Sequence, residues 1–315
     1  MACTAARAGA TERAVGALRL LAVVSGWLLS LAAFPGPARG AAQNPRLAAA
    51  IPGIESTIRA SGAEVAVAFR TLDAKSAWLL RPDEPFHAAS TMKVAVLIEL
   101  YRQVHRGRVR LDEPLVVRNE FHSRVDGSPF TLAPGDDSET DLYRAVGATR
   151  TLGQLSELMI TVSSNLATNL LIDKLGVDNI RAGVHVLGAD GMNVLRGVED
   201  TKAFQQGLNN TTTARALLQL LAAIVRGRAV DSESSRQMLA ILERQTFNDR
   251  IPAGLPPGTR VAHKTGEITR IQHDAAIVFA QRPFVLVVLT RGVEDPQQGS
   301  ALIAEIARRL YRATQ

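Results

Sequence analysis

Apolar residues recur every third or fourth position from Pro45 to Ala60, a spacing that predicts an amphipathic helix closed by Ser61-Gly62. The period then drops to two. EVAVAFRTLD (Glu64 to Asp73) reads as a half-buried strand, and SAWLLRP, just beyond, reads as its hairpin partner. Through the middle of the chain the three-and-four spacing returns, predicting helices over Ser90–Arg106, Leu152–Leu175, Asn179–Leu187 and Thr212–Arg226. Strand patterns reappear as RVAHKTGE, DAAIVFA and PFVLVVLTRG, before a last helix from Pro296 to Arg312. Helix, strands, many helices, three strands, helix is the order of an α/β fold with an all-α lobe. The expected sheet is mixed and antiparallel-rich, assembled from both ends of the chain and flanked by helices. The α/β lobe is expected at about 43–88 and 228–315, and the inserted helical lobe at about 89–227.

The first forty residues follow a different design. Arg7, Arg13 and Arg19 precede the apolar run LLAVVSGWLLSLAAF (Leu20 to Phe34), which gives way to Pro35, Pro37 and small residues through Ala42. A basic region, an apolar run of about 15 residues and a small-residue site form a secretory signal peptide, expected at 1–42 and directing export to the periplasm or medium. The run is short of the ~20 residues a spanning helix needs, so an uncleaved anchor is the lesser reading, and membrane contact is expected only through this signal. Cleavage would remove Cys3, the only cysteine, and leave neither a disulfide framework nor a thiol nucleophile. It would also take the 36 basic and 30 acidic residues to 32 and 29, reducing the net charge from +6 to +3. With aromatics at 4% and Trp78 the only tryptophan left, a nucleic-acid partner is not expected. The acidic run GDDSETD (Gly135 to Asp141) lacks the ligand spacing of a calcium loop and reads as a solvated loop. The chain is expected to act as a monomer.

One charge interrupts the apolar helix HAASTMKVAVLIEL. Lys93 follows Ser90 by three residues, which places both on one face, about 5–6 Å apart at Cβ. A serine hydroxyl is a weak nucleophile until a base takes its proton, and a lysine held among apolar groups has its ammonium disfavoured, so a neutral amine becomes available as that base. A lone S-x-x-K also fits a serine opening a helix and a lysine reaching out to water. Two further stretches carry chemistry. Ser163 and Asn165, in MITVSSNLATN, could pass a proton and orient Lys93, although Ser and Asn are also common helix caps. Lys264 and Thr265 of HKTGE can present an ammonium and a hydroxyl to a carboxylate, while Gly266 allows close approach to the backbone.

S-x-x-K, S-x-N and K-T-G, in this order, resemble the signature set of class A β-lactamases and penicillin-binding proteins. GSPFTL (Gly127 to Leu132) and LERQTFNDRIPAGLPPGTRVAHKTGE extend the likeness, which covers residues 45–313. The resemblance implies a β-lactamase/transpeptidase-like fold and a serine hydrolase that opens β-lactam rings through a Ser90 acyl-enzyme. Lys93 would be the activating base and Ser163 the proton shuttle. Lys264, Thr265 and Gly266 would bind substrate, and the Glu267 amide would join that of Ser90 at the oxyanion. No metal or organic cofactor is implied, and the partner would be a β-lactam or a peptidoglycan-derived small molecule. A peptidoglycan D,D-peptidase or an esterase on the same scaffold is the alternative. A non-catalytic domain that binds cell-wall or protein ligands is the third reading, opposed by the intact Ser90, Lys93 and Lys264.

Two positions depart from the class A pattern. Ser164 stands where that pattern has aspartate, and the segment before it is longer, around the acidic run. The deacylating glutamate of E-x-x-L-N is also absent, since Gln205 precedes Leu208-Asn209, and glutamine cannot act as a general base. Glu199, in register with Arg196, is the expected substitute, with Asp200 beside it. The six histidines show no H-x-H or H-E-x-x-H spacing, there is no G-x-S-x-G, and His273 and Asp274 point to opposite faces of one strand, which leaves a metallohydrolase or a Ser-His-Asp enzyme unsupported.

Overall fold

The computed structural model describes residues 44–315. The expected signal segment, 1–42, lies outside them. Five strands form one sheet: β1 (Glu64–Thr71), β2 (Ala77–Leu80), β3 (Arg260–Ile268), β4 (Ile271–Phe279) and β5 (Phe284–Arg291), in the spatial order β2-β1-β5-β4-β3. Every pairing is antiparallel, the limit of the antiparallel-rich expectation, because short hairpins join β1 to β2 and β3 to β4 to β5. The two ends of the chain meet in the β1–β5 pair, where Glu64 lies opposite Arg291 and Thr71 opposite Phe284.

Alternation along the strands sorts two cores. Ala66 and Ala68 of β1, Ala275 and Ile277 of β4, and Val285, Val287 and Leu289 of β5 face the helical side. Val65, Val67 and Phe69, with Leu286 and Val288, face the opposite side and pack under α1 (Pro45–Ala60) and α8 (Pro296–Thr314) through Leu47, Ile54, Ile303, Ile306 and Leu310. Coverage on both faces explains why β5 reads as an unbroken apolar run rather than an alternating one.

The helical side is built around α2 (Lys93–His105), where every residue from Lys93 to Tyr101 is buried. Around it stand α3 (Leu152–Thr161), α4 (Asn165–Leu175), α5 (Val177–Val186), α6 (Ala214–Val225) and α7 (Ser232–Leu242). The helical spacing over Leu152–Leu175 belongs to two helices, parted at the Ser and Asn residues that the sequence also offers as caps. Ser163 takes a left-handed φ of 59° and the Ser164 hydroxyl accepts from Ala167 N at 3.2 Å, so the chain stops and restarts at the S-x-N stretch. Helix α7 opens on Ser, Glu and Arg and turns apolar only in MLAIL, so its spacing marks its end more clearly than its start. No helix among the described residues is long and apolar enough to cross a membrane.

Candidate active site

Ser90 lies in a 3₁₀ turn, Ala89–Met92, that leads straight into α2. The α-helix expected from Ser90 therefore starts one turn later, at Lys93. Ala89 has φ of 45°, a left-handed conformation costing a non-glycine residue on the order of 1–3 kcal/mol, and the turn leaves Ser90 partly exposed where its neighbours are buried. Strand β3, at the sheet edge, packs against this turn at Gly266. A Cβ added there would sit 3.2 Å from both Ala89 Cβ and Ser90 N. The glycine thus admits the Ala89–Met92 turn itself to the strand, a closer neighbour than the substrate expected from sequence.

Behind Ser90 lies a buried polar cluster. Lys93 and Lys264 have no exposed surface, and both amines donate to one hydroxyl, Ser163 Oγ, at 3.1 and 3.0 Å. Lys93 Nζ also donates to Ser163 O at 2.6 Å and Asn165 Oδ1 at 2.9 Å, and Lys264 Nζ to Thr265 O at 2.8 Å. The left-handed backbone at Ser163 lets one residue offer both its carbonyl and its hydroxyl to the lysines. Burial brings the Lys93 pKa down to about 7, opposed by the negative charges of Asp137 and Glu199. Burial also pushes Lys264 down, helped by the nearby charge of Lys93. Burial thus brings the neutral amine of Lys93 within reach close to neutral pH. Among the described residues no hydrogen bond joins Lys93 to Ser90. The amine rests on Ser163 and Asn165.

Glu199 enters from the loop between α5 and α6. Asn169 of α4 pins that loop, accepting from Val198 N at 2.7 Å and donating to Val198 O at 2.9 Å. Gly197 permits the approach, since a Cβ there would lie 3.0 Å from Asn169 Oδ1. With φ of 63°, Glu199 then turns its half-buried carboxylate to accept from Asn165 Nδ2 at 3.3 Å and Ala133 N at 3.4 Å. The Asn165 amide therefore bridges Lys93 and Glu199. Burial raises the Glu199 pKa, reinforced by the charges of Asp136 and Asp137. Asp200 points away. Its buried carboxylate accepts from Ser123 Oγ, Arg124 N and Ala203 N at 2.8, 2.9 and 3.0 Å, anchoring the loop. Gln205 is exposed. Ser90, Asn165, Glu199 and Glu267 line one cleft of about 480 Å³.

A sequence profile described as the beta-lactamase enzyme family matches residues 47–314. The chain belongs to this β-lactamase family. A β-lactamase of Streptomyces albus G is 28% identical over 258 residues, which are 79% of this chain and 80% of that protein. A β-lactamase structure from Sphaerobacter thermophilus superposes with a TM-score of 0.71 at 28% identity, covering 86% of this chain and 96% of the other. The acyl-enzyme complex of a PBP-A mutant with penicillin G matches with a TM-score of 0.71, again at 28% identity, over 85% and 96% of the two chains. The fold is that of class A β-lactamases, as in the ancestral enzyme of Gram-negative bacteria, with a TM-score of 0.73 at 26% identity.

Within this β-lactamase-family site, three further residues set the geometry. Arg250, almost fully buried, donates to Gly266 O and His273 O at 3.2 and 3.0 Å and pairs with the Glu267 carboxylate. It supports the K-T-G strand from the side opposite the cluster of lysines. Asn169 sets the Glu199 loop as described. Asp137 belongs to the acidic run that reads as a solvated loop, yet it is the one residue of that run that is buried. Its carboxylate accepts from Asn165 N and Leu166 N at 2.8 and 2.9 Å. Asp274 pairs across strands with His263, Nδ1 to Oδ1 at 3.0 Å, rather than with His273, and His263 Nε2 meets Asn248. That dyad faces away from Lys264, its neighbour on β3, and touches no serine. Among the described residues no three His, Cys, Asp or Glu side chains group as metal ligands.

Proposed function

We propose that the protein is a serine β-lactamase in which Ser90 is acylated by a β-lactam and then released by water. The observation that carries this reading is the Ser163 hydroxyl held between two buried lysine amines at 3.1 and 3.0 Å, behind a strained turn that presents Ser90 to the cleft. In acylation, Lys93 as the free amine takes the Ser90 proton while Oγ adds to the β-lactam carbonyl. The amides of Ser90 and Glu267 receive the developing oxyanion, each such donor contributing ~10²- to 10³-fold to rate. As the C–N bond breaks, Ser163 gives its proton to the departing ring nitrogen and is reprotonated by the Lys93 ammonium, so the proton taken from Ser90 ends on the opened ring. Lys264 and Thr265 bind the substrate carboxylate, and Gly266 keeps β3 against the nucleophile turn. In deacylation, the Glu199 carboxylate takes a proton from water as the water oxygen attacks the ester carbonyl; when the C–Oγ bond breaks, Lys93 recovers a proton from Glu199 through water and returns one to Ser90 Oγ, restoring Ser90 and the Glu199 carboxylate. The signal segment read at 1–42 would carry this activity out of the cytoplasm.

A penicillin-binding hydrolase that stalls at the acyl-enzyme is the second reading, favoured by the departure at the deacylating position. The backbone that Asn169 pins belongs to Val198, and Glu199 reaches the cleft only through a left-handed turn. Steady-state hydrolysis of penicillin G and a chromogenic cephalosporin separates the two. Many turnovers per enzyme, lost in Ser90→Ala, support the β-lactamase; a single stoichiometric burst supports the second reading.

A further inference from the structure

Helix α4 begins at a place where a family signature is broken. Ser164 occupies the middle of S-x-N, and its short hydroxyl caps only one amide, Ala167 N. The preceding amides, Asn165 N and Leu166 N, point into the protein and need an acceptor. The segment 135–141 supplies one. Asp137 Oδ2 accepts from Asn165 N at 2.8 Å, Leu166 N at 2.9 Å and Ser164 Oγ at 3.3 Å, while Tyr143 OH donates to the same oxygen at 3.0 Å and Glu139 N to Oδ1 at 3.2 Å. Both oxygens are occupied, and the side chain is shut off from water while its acidic neighbour Asp136 is exposed.

We propose that Asp137 is the positioning residue of the catalytic cluster: the loop inserted before α4 returns, from 27 residues away, the carboxylate that Ser164 leaves out of S-x-N. This rests on the β-lactamase reading above and deepens it. Two consequences follow from the geometry. Asp137 fixes the first residue of α4, whose amide side chain bridges Lys93 and Glu199, so the orientation of Asn165 depends on it. It also places a fixed negative charge behind the Lys93 amine. The charges facing that amine are Asp137 on the loop, Glu199 on the cleft segment and Lys264 on β3, with Arg250 and Asp274 acting on Lys264 in turn. Burial disfavours the ammonium, and Asp137 and Glu199 favour it. Without Asp137 the balance moves toward the neutral amine.

The test compares Asp137→Ala, Asp137→Asn and the double variant Asp137→Ala with Ser164→Asp, reading the single-turnover acylation rate by a fluorescent penicillin from pH 5 to 9. Melting temperatures of the same samples accompany the rates. Losing a charge-assisted anchor predicts a drop of about 10- to 100-fold in acylation for Asp137→Ala, with a smaller drop for Asp137→Asn, whose amide oxygen can still accept from Asn165 and Leu166. The acid limb of the rate should move to lower pH in both single variants, which a general loss of stability would not do. Ser164→Asp, returning a carboxylate to the residue that caps α4, should recover most of the rate. Equal acylation by wild type and Asp137→Ala overturns the inference while the β-lactamase reading stands; so does an unmoved acid limb with no recovery in the double variant. If Asp137→Ala does not fold, the limb of Asp137→Asn and the rate of the double variant decide. Failure of the wild type itself to acylate overturns the parent reading instead.

Discussion

Replacing Glu199 by glutamine should convert a turning-over enzyme into one that traps its substrate. The two side chains are the same size, and the substituted amide would keep an oxygen for Asn165 Nδ2 or Ala133 N, contacts of 3.3 and 3.4 Å that are long enough to contribute little. The fold and the cleft should therefore survive. What disappears is the ability to take a proton from water. General-base catalysis contributes ~10²- to 10⁴-fold, equivalent to about 2.7–5.5 kcal/mol of barrier, and the deacylation constant should fall by that amount. Acylation should be preserved, because Glu199 is one of the two charges that favour the Lys93 ammonium, and its loss makes the neutral amine more accessible. The assay is rapid-quench mass spectrometry of the acyl-enzyme beside steady-state hydrolysis. A burst close to one equivalent followed by very slow release is the expected result. Asp200→Asn serves as the contrast: its carboxylate holds Ser123, Arg124 and Ala203, so it should lower the melting temperature and leave deacylation near wild type. Wild-type turnover by Glu199→Gln would refute the assignment, and a deacylation defect in Asp200→Asn larger than that of Glu199→Gln would transfer the role.

Two other expectations follow from the lysines. Lys264→Ala should weaken reaction with carboxylated β-lactams by ~1.5–3 kcal/mol and with an uncharged ester by less, measured as kcat/KM; equal losses would mean that the lysine acts on the cluster rather than on the carboxylate. Because burial holds Lys93 at about 7, the neutral base predominates above that pH and the ammonium below it, so the acylation rate should climb through pH 7 to a plateau. A profile still climbing at pH 10, as for an unperturbed lysine, would remove Lys93 from that role.

The elements that sequence made visible were those whose burial is one-sided or complete. A period-two run located β1, short strand-like runs located β3, β4 and β5, and Pro45 and Pro296, each just inside a helix, mark the starts of α1 and α8. The chemistry-bearing triplets were legible because each is compact: three or four residues on one turn or one strand end fix their own relative geometry. What stayed hidden depends on contacts distant in sequence. The left-handed backbone at Ser163, which turns its carbonyl and hydroxyl to the lysines, is not registered by apolar periodicity. Asp137 reads as one of several acids in a polar loop, and only its partners 28 and 29 residues on distinguish it. Arg250 reaches Gly266 and Glu267 from the loop that precedes the K-T-G strand, 16 and 17 residues away, and His263 finds Asp274 on the adjacent strand rather than in its own.

The central claim is that Ser90 forms and then loses a covalent bond to a β-lactam. Time-resolved intact-protein mass spectrometry with penicillin G, followed by peptide mapping, reads this directly on the wild type and on Ser90→Ala. The account predicts a transient gain equal to one whole penicillin, since ring opening expels no fragment, located on the peptide that contains Ser90 and decaying as hydrolysed penicillin accumulates. Ser90→Ala should show no adduct at any time. An adduct that persists in Ser90→Ala, or a wild type that neither gains mass nor hydrolyses penicillin, would contradict it.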